Sequence, residues 1–151
     1  AAQHSKSLQL EGIDQESWIT QQVNQLKQYT DRPIVVRPHP RCRLNTARLP
    51  ATVQFEIPHK LANTYDSFDM HFNCHAVVNH NSGPGIQAAI AGTRPVVDRS
   101  SLAAPVAVSD IEQPYDIDRA QWLVEIAHTE YTVDELAAGT WYPRIEKALN
   151  D

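Results

Sequence analysis

The sequence predicts an α/β domain, with a parallel sheet between helical layers. Three observations lead there. Short apolar runs suited to buried strands alternate with amphipathic helical patterns. Residues 76–98 read as one strand–turn–helix–strand unit, about the size of a βαβ motif. Polar clusters fall where the expected strands end, and open parallel sheets place their ligands at those carboxyl ends.

The whole-chain properties fit one domain over residues 1–151. A chain of 151 residues can bury a substantial core, and 42% apolar with 21% charged residues is a globular composition. The formal net charge of −5 argues against nonspecific attraction to nucleic acid through overall charge. No apolar run reaches membrane-spanning length, so no membrane partner is expected. The two cysteines, Cys42 and Cys74, do not make a disulfide framework, which points to a reducing cytoplasm. The chain opens Ala-Ala-Gln, without methionine or signal-like segment, and reads as a fragment.

The elements follow in order. Residues 13–29 form a helix that Asp14 can cap, with Ile19, Val23 and Leu26 on one face. "IVVR" at 34–37 is a short strand that runs into Pro38-His39-Pro40 and stops, because proline cannot continue a central strand. Residues 41–51 are a polar loop. "TVQFEI" at 52–57 is a strand closed by Pro58, and "KLANTYDSF" at 60–68 is a short helix. Ala76, Val77 and Val78 open a buried strand over 76–80. Pro84 suits the first position of a helix over 84–91, which Gly92 stops. Pro95 opens the strand "PVVD" at 95–98. After an irregular stretch, Asp118 caps a helix presenting Trp122, Leu123, Ile126 and Ala127 on one face. Thr132 and Glu135 make a capping box, and a last helix spans 142–149.

The stretch "NHNSGPG" at 79–85 carries the most specific chemical signal. It leaves backbone N–H groups unpaired at the positive end of a helix, a natural site for an anion and above all phosphate. Asn81 and Ser82 add side-chain donors, while Gly83 and Gly85 let a ligand approach the backbone. An ordinary βα loop with a capped helix is the competing reading; the stretch matches neither the dinucleotide fingerprint nor a Walker loop. Three further clusters sit at expected strand ends: Arg37/His39/Arg41, Ile57 to Lys60 including His59, and Asp98/Arg99/Ser100/Ser101. Arg37 and Arg41 suit forked phosphate contacts. No DxD pair suited to a divalent cation lies among these clusters.

Other residues have plainer readings. His71, Cys74, His75 and His80 do not follow a zinc-finger or HExxH order, so no metal is assigned. Cys74, at a strand start, is expected to be buried rather than nucleophilic. Trp18, Trp122 and Trp141 are expected to pack helices rather than stack on sugars. His39 has two readings, a catalytic acid/base and a structural kink.

The segments "RPIVVRPHPR", "NHNSGPGIQAAIAGTRPVVDRSSLA" and "RAQWLVEIAHTEYTVDELAAG" together resemble glycosyltransferases of tailed bacteriophages. More distantly they resemble the C-terminal half of GT-B enzymes such as capsule-sugar and polyglycerol-phosphate transferases. The resemblance runs from about residue 8 onward. It implies a Rossmann-like three-layer domain binding a nucleoside-diphosphate sugar, without its N-terminal acceptor domain. It also implies that Asn81, Ser82, Gly83 and the following helix amides meet the diphosphate, flanked by Arg37 and His39. The 57–60 segment with His59 and Lys60 would lodge the base, Gln87 would reach the ribose, and Asp98 to Ser101 would face the sugar. Helix amides and fixed cations stabilise a departing diphosphate without a metal or cofactor. The acceptor is left open between a glycan, a protein and a modified DNA base, as are the sugar and the oligomeric state. If phage-encoded, the protein would act in the host cytoplasm. Two other functions fit the same residues: a noncatalytic nucleotide- or phosphate-binding module, and a sugar-nucleotide epimerase.

Overall fold

The computed structural model describes residues 5–40, 42–59, 72–129 and 131–150. They form a mixed α/β chain with the element order α1 (Ser5–Leu10), α2 (Gln15–Leu26), β1 (Val35–Val36), β2 (Gln54–Phe55), β3 (Ala76–Val78), α3 (Gly83–Ala91), β4 (Arg94–Val96), α4 (Ala120–Ala127), α5 (Val133–Ala138) and α6 (Tyr142–Asn150). Short 3₁₀ turns lie at Thr46–Arg48 and Ala104–Val106. The chain divides into two compact units, Ala1–Ile117 and Asp118–Asp151.

In the first unit the strands are parallel, as expected, but shorter. Among the described residues they pair two by two, β1 with β2 and β3 with β4, rather than as one sheet of four. Proline accounts for much of the shortening, because Pro38 and Pro58 cannot donate to a ladder. Between β1 and β2 the described residues 37–53 contain a 3₁₀ turn and no α-helix, so this crossover departs from strict strand–helix alternation. The expected helix at 60–68 lies outside the described residues. The β3–α3–β4 unit does follow the expected pattern, with α3 packed on both strands.

Helix α2 shows why its sequence folds as it does. The Asp14 carboxylate accepts the Ser17 amide at 3.0 Å, satisfying one of the unpaired amides of the first turn. One stripe then carries Ile19 and Val23 into a core with Val36, Leu49 and Val53, against which Trp18, Ile34 and Leu44 pack. Leu8 of α1 is completely buried; the sequence pattern had not marked this short helix.

Helix α3 begins one residue earlier than its sequence pattern indicated and ends at Gly92, whose φ of 84° is the left-handed conformation glycine takes freely. Ala88 and Ala89 are fully buried, and their small side chains suit the close packing of α3 on its strands. Hydrogen bonding continues past the strand ends: the Asn79 amide donates to Val96 at 3.0 Å and the Asp98 amide donates to His80 at 2.9 Å. That extended ladder fixes the two loops next to each other.

The second unit holds α4, α5 and α6. Asp118 accepts the Ala120 amide at 2.9 Å, but the cap position itself is Arg119, one residue later than expected. Trp122 and Ile126 are buried and Leu123 half-buried, whereas Ala127, expected on the same face, is exposed. The capping box forms as read: Thr132 Oγ1 accepts the Glu135 amide at 3.2 Å and the Thr132 amide donates to the Glu135 carboxylate at 2.7 Å. The Thr132 amide, and after it the Thr132 hydroxyl at 2.9 Å, donate to the Glu135 carboxylate and hold its carboxyl below its usual range.

Candidate functional site

The turn between β3 and α3 is built around Asn79. This side chain is 2% exposed, and its Nδ2 donates to the Ser82 carbonyl at 2.8 Å and to Ser82 Oγ at 2.9 Å. Ser82 occupies the N-cap position of α3, yet its side chain makes no capping bond. The Gly83 amide, first in the helix, has no intrahelical partner by construction of the helix. A Cβ placed on Gly83 would meet nothing within 4 Å, so open space lies in front of it. An uncapped amide, a serine hydroxyl and the positive helix end thus meet at one exposed corner.

The other predicted glycine has a different role. Gly85 is buried, and a Cβ there would lie 2.5 Å from Asn79 Oδ1 and 2.8 Å from Val97 Cγ1. The protein's own atoms fill the space next to it, so its small size serves the fit of α3 against the end of β3.

The neighbouring side chains form one hydrogen-bonded network. His80 is buried, and its Nε2 lies 2.7 Å from a Glu11 carboxylate oxygen. The edge of its ring packs on Trp18, with centroids 6.2 Å apart. Asn81 Nδ2 donates to the other Glu11 oxygen at 3.3 Å and to Ser100 Oγ at 3.1 Å. Asp98 accepts the Ser100 amide at 2.9 Å and the Ser100 hydroxyl at 2.8 Å. These bonds hold both carboxyls below their usual range, Glu11 chiefly through His80 and Asp98 chiefly through the Ser100 amide. Glu11 lies 69 residues from His80, and no local motif marks it.

The structure therefore joins the predicted clusters in pairs. The His80 carbonyl meets the Asp98 amide and the Asn81 side chain meets Ser100, while Ser82 is held by Asn79. Arg37 meets the strand leading to residue 57, its Nε 3.2 Å from a Glu56 oxygen. His39 is half-buried just past β1, and His59 is exposed after β2. Arg41 and Lys60 lie outside the described residues. Gln87 is exposed on α3, and Arg99 is exposed beside Asp98. Ser101 is 4% exposed and accepts the Ala103 amide at 3.2 Å, so it shapes the turn into the Ala104–Val106 3₁₀ segment.

The remaining candidates have ordinary surroundings. Among the described residues no group of three or more His, Cys, Asp and Glu side chains is arranged to hold a metal ion. His75 binds the Ile111 carbonyl at 2.8 Å and meets Arg94. Cys74 is exposed, not buried as its position before a strand suggested. Trp18 packs on the core and Trp122 is buried, while Trp141 donates its indole N–H to the Leu136 carbonyl at 3.2 Å. No helix is long and apolar enough to cross a membrane among the described residues. Two open grooves, of about 610 and 510 Å³, run along the polar side of α2 and around its C-terminal end. They are lined by side chains such as Thr20, Asn24 and Lys27, and no residue of the β3–α3 turn lines either one.

Comparison of the chain with protein-family models, curated proteins and solved structures returned no match.

Proposed function

We propose that this chain is the donor-binding part of a glycosyltransferase, and that it takes the diphosphate of a nucleotide sugar at the β3–α3 turn. The observation that carries this reading is the uncapped start of α3, where Gly83 is exposed and a Cβ on it would meet nothing within 4 Å. A diphosphate is the ligand whose charge and oxygen acceptors such a corner matches. The resemblance of the surrounding segments to phage and GT-B transferases supports the same assignment. In this reading Gln87 and Asp98 to Ser101 approach the ribose and sugar, His39 serves as acid/base, and the two parallel strand pairs belong to one Rossmann-like sheet. No metal takes part; the Gly83 amide and the positive helix end meet the departing charge, since Pro84 has no N–H and the Gly85 amide donates to the Ser82 carbonyl at 3.2 Å. The free thiols of Cys42 and Cys74 suit a reducing cytoplasm.

The test is calorimetry with a panel of nucleoside diphosphates and nucleotide sugars, with and without a chelator, followed by assay for released nucleoside diphosphate. The reading expects binding that survives the chelator and weakens as salt rises, because part of the attraction is ionic. Binding without release would favour a noncatalytic module. No binding to any of the panel would overturn the assignment.

A further inference from the structure

At the opposite end of the β3–β4 pair, His75 stands just before β3, between a cation and a carboxylate. Its Nε2 lies 2.8 Å from the Ile111 carbonyl. A carbonyl only accepts, so this nitrogen carries the proton of the ring. Arg94, which opens β4, places Nη1 3.0 Å from His75 Nδ1, 2.7 Å from Nε2 and 3.1 Å from the His75 carbonyl. With the proton on Nε2, Nδ1 is the ring acceptor for that guanidinium. Among the described residues every hydrogen bond of the Arg94 side chain goes to His75, and its buried Nε has no partner. On the other side, Glu112 Oε2 lies 3.5 Å from His75 Nε2, while Arg32 holds both Glu112 oxygens. The His75 side chain is 26% exposed, so solvent can deliver a proton to it.

We propose that His75 is a proton-operated latch: neutral, it joins Arg94 of β4 to the Ile111 carbonyl in the loop beyond β4; protonated, it gives up Arg94 and pairs with Glu112. Protonation turns Nδ1 from an acceptor into a donor. The ring then offers Arg94 Nη1 two N–H groups and a like charge at hydrogen-bond distance. The same proton makes the 3.5 Å contact with Glu112 an attraction between opposite charges. Ile111 and Glu112 are consecutive residues, so a small ring rotation carries the Nε2–H from one to the other. Among the described residues the charged groups facing His75 are Arg94 from β4 and Glu112 from the loop, with Arg32 behind Glu112. Asp110 is turned to the Glu112 amide, which it accepts at 2.9 Å, and Cys74, the preceding residue, is exposed.

The experiment is NMR of the full chain with isotope-labelled histidine and arginine, titrated from about pH 8 to about pH 5, the range in which imidazoles change charge. His75→Gln and Arg94→Gln assign the signals, and a melting curve confirms that each variant is folded. At the upper end the His75 ring should carry its proton on Nε2 alone. As the ring takes up its second proton, the Arg94 Nε–H signal should move with the same midpoint. That midpoint should rise by about one pH unit in Arg94→Gln, which removes a like charge, and fall by about as much in Glu112→Gln, which removes the attraction. A ring proton on Nδ1 at the upper end overturns the proposal, as does a ring that keeps one proton throughout. An Arg94 signal that ignores the His75 titration overturns it too, and so does either midpoint staying in place. The tautomer and the Arg94 signal are read on the unaltered protein, so they decide the matter even where a variant does not fold.

Discussion

Gly83 and Gly85 look alike in the sequence and differ in the structure. At Gly85 an added methyl would press on the buried Asn79 Oδ1 at 2.5 Å and on Cγ1 of the half-buried Val97 at 2.8 Å. Gly85→Ala should therefore destabilise the protein by about 1–3 kcal/mol, the usual range for overpacking. At Gly83 there is open space and no left-handed backbone, so Gly83→Ala should be neutral or stabilise by up to about 1 kcal/mol through the unfolded chain. Urea denaturation of the two variants checks both; equal effects would mean the packing at Gly85 is misassigned. The sequence could announce two glycines near a helix start. It could not say which one the protein's own atoms enclose, because Asn79 and Val97 reach Gly85 only once the strands are paired.

At the scale of elements, caps were the most legible features, because a cap is a local bond between residues three apart. Asp14 with Ser17 and Thr132 with Glu135 both form as their spacing implies. Thr132→Ala should cost about 1 kcal/mol of helix stability, seen as faster amide exchange across Val133–Ala138 than in the unaltered protein. Unchanged exchange would show that the box does not hold α5. Strand extent and the partner of α1 were less legible. Among the described residues the β1–β2 crossover holds no α-helix, the element that usually marks a parallel pair. Glu11 meets His80 across a long stretch of chain, a tertiary contact that periodicity cannot encode. At the site itself, Asn81, Ser82 and Ser100 were visible from their types and their places after strands, while Glu11 and the supporting Asn79 needed the fold.

At the scale of the whole molecule, ion pairs tie distant segments of the first unit. Arg32 and Glu112 make a two-pronged pair at 2.9 and 3.1 Å, bridging the end of α2 to the loop beyond β4. The Arg32 guanidinium holds the Glu112 carboxyl down to about 2 from its ordinary 4.5. A depressed carboxyl contributes its stability above the unfolded value and loses it as pH falls through the folded one. Stability should thus decline between about pH 4.5 and pH 2, and Glu112→Gln should flatten that part of the profile in acid titration followed by circular dichroism. An unaltered slope would show that other carboxylates dominate.

Whether the corner where β3 hands over to α3 holds a diphosphate is decided by one paired measurement: melting temperature and nucleoside-diphosphate affinity on Gly83→Val and Ser82→Ala. Gly83 faces open space, so valine there should change stability by only about 0.5 kcal/mol. Ser82 makes no capping bond, and Asn79 keeps its bond to the Ser82 carbonyl at 2.8 Å, so alanine should cost about 0.5–1.5 kcal/mol. If the corner cradles a diphosphate, Gly83→Val abolishes binding, Ser82→Ala weakens it by about 1.5–3 kcal/mol, and both proteins remain folded. If both variants bind the nucleotide as the unaltered protein does, the corner holds no phosphate and the account is contradicted.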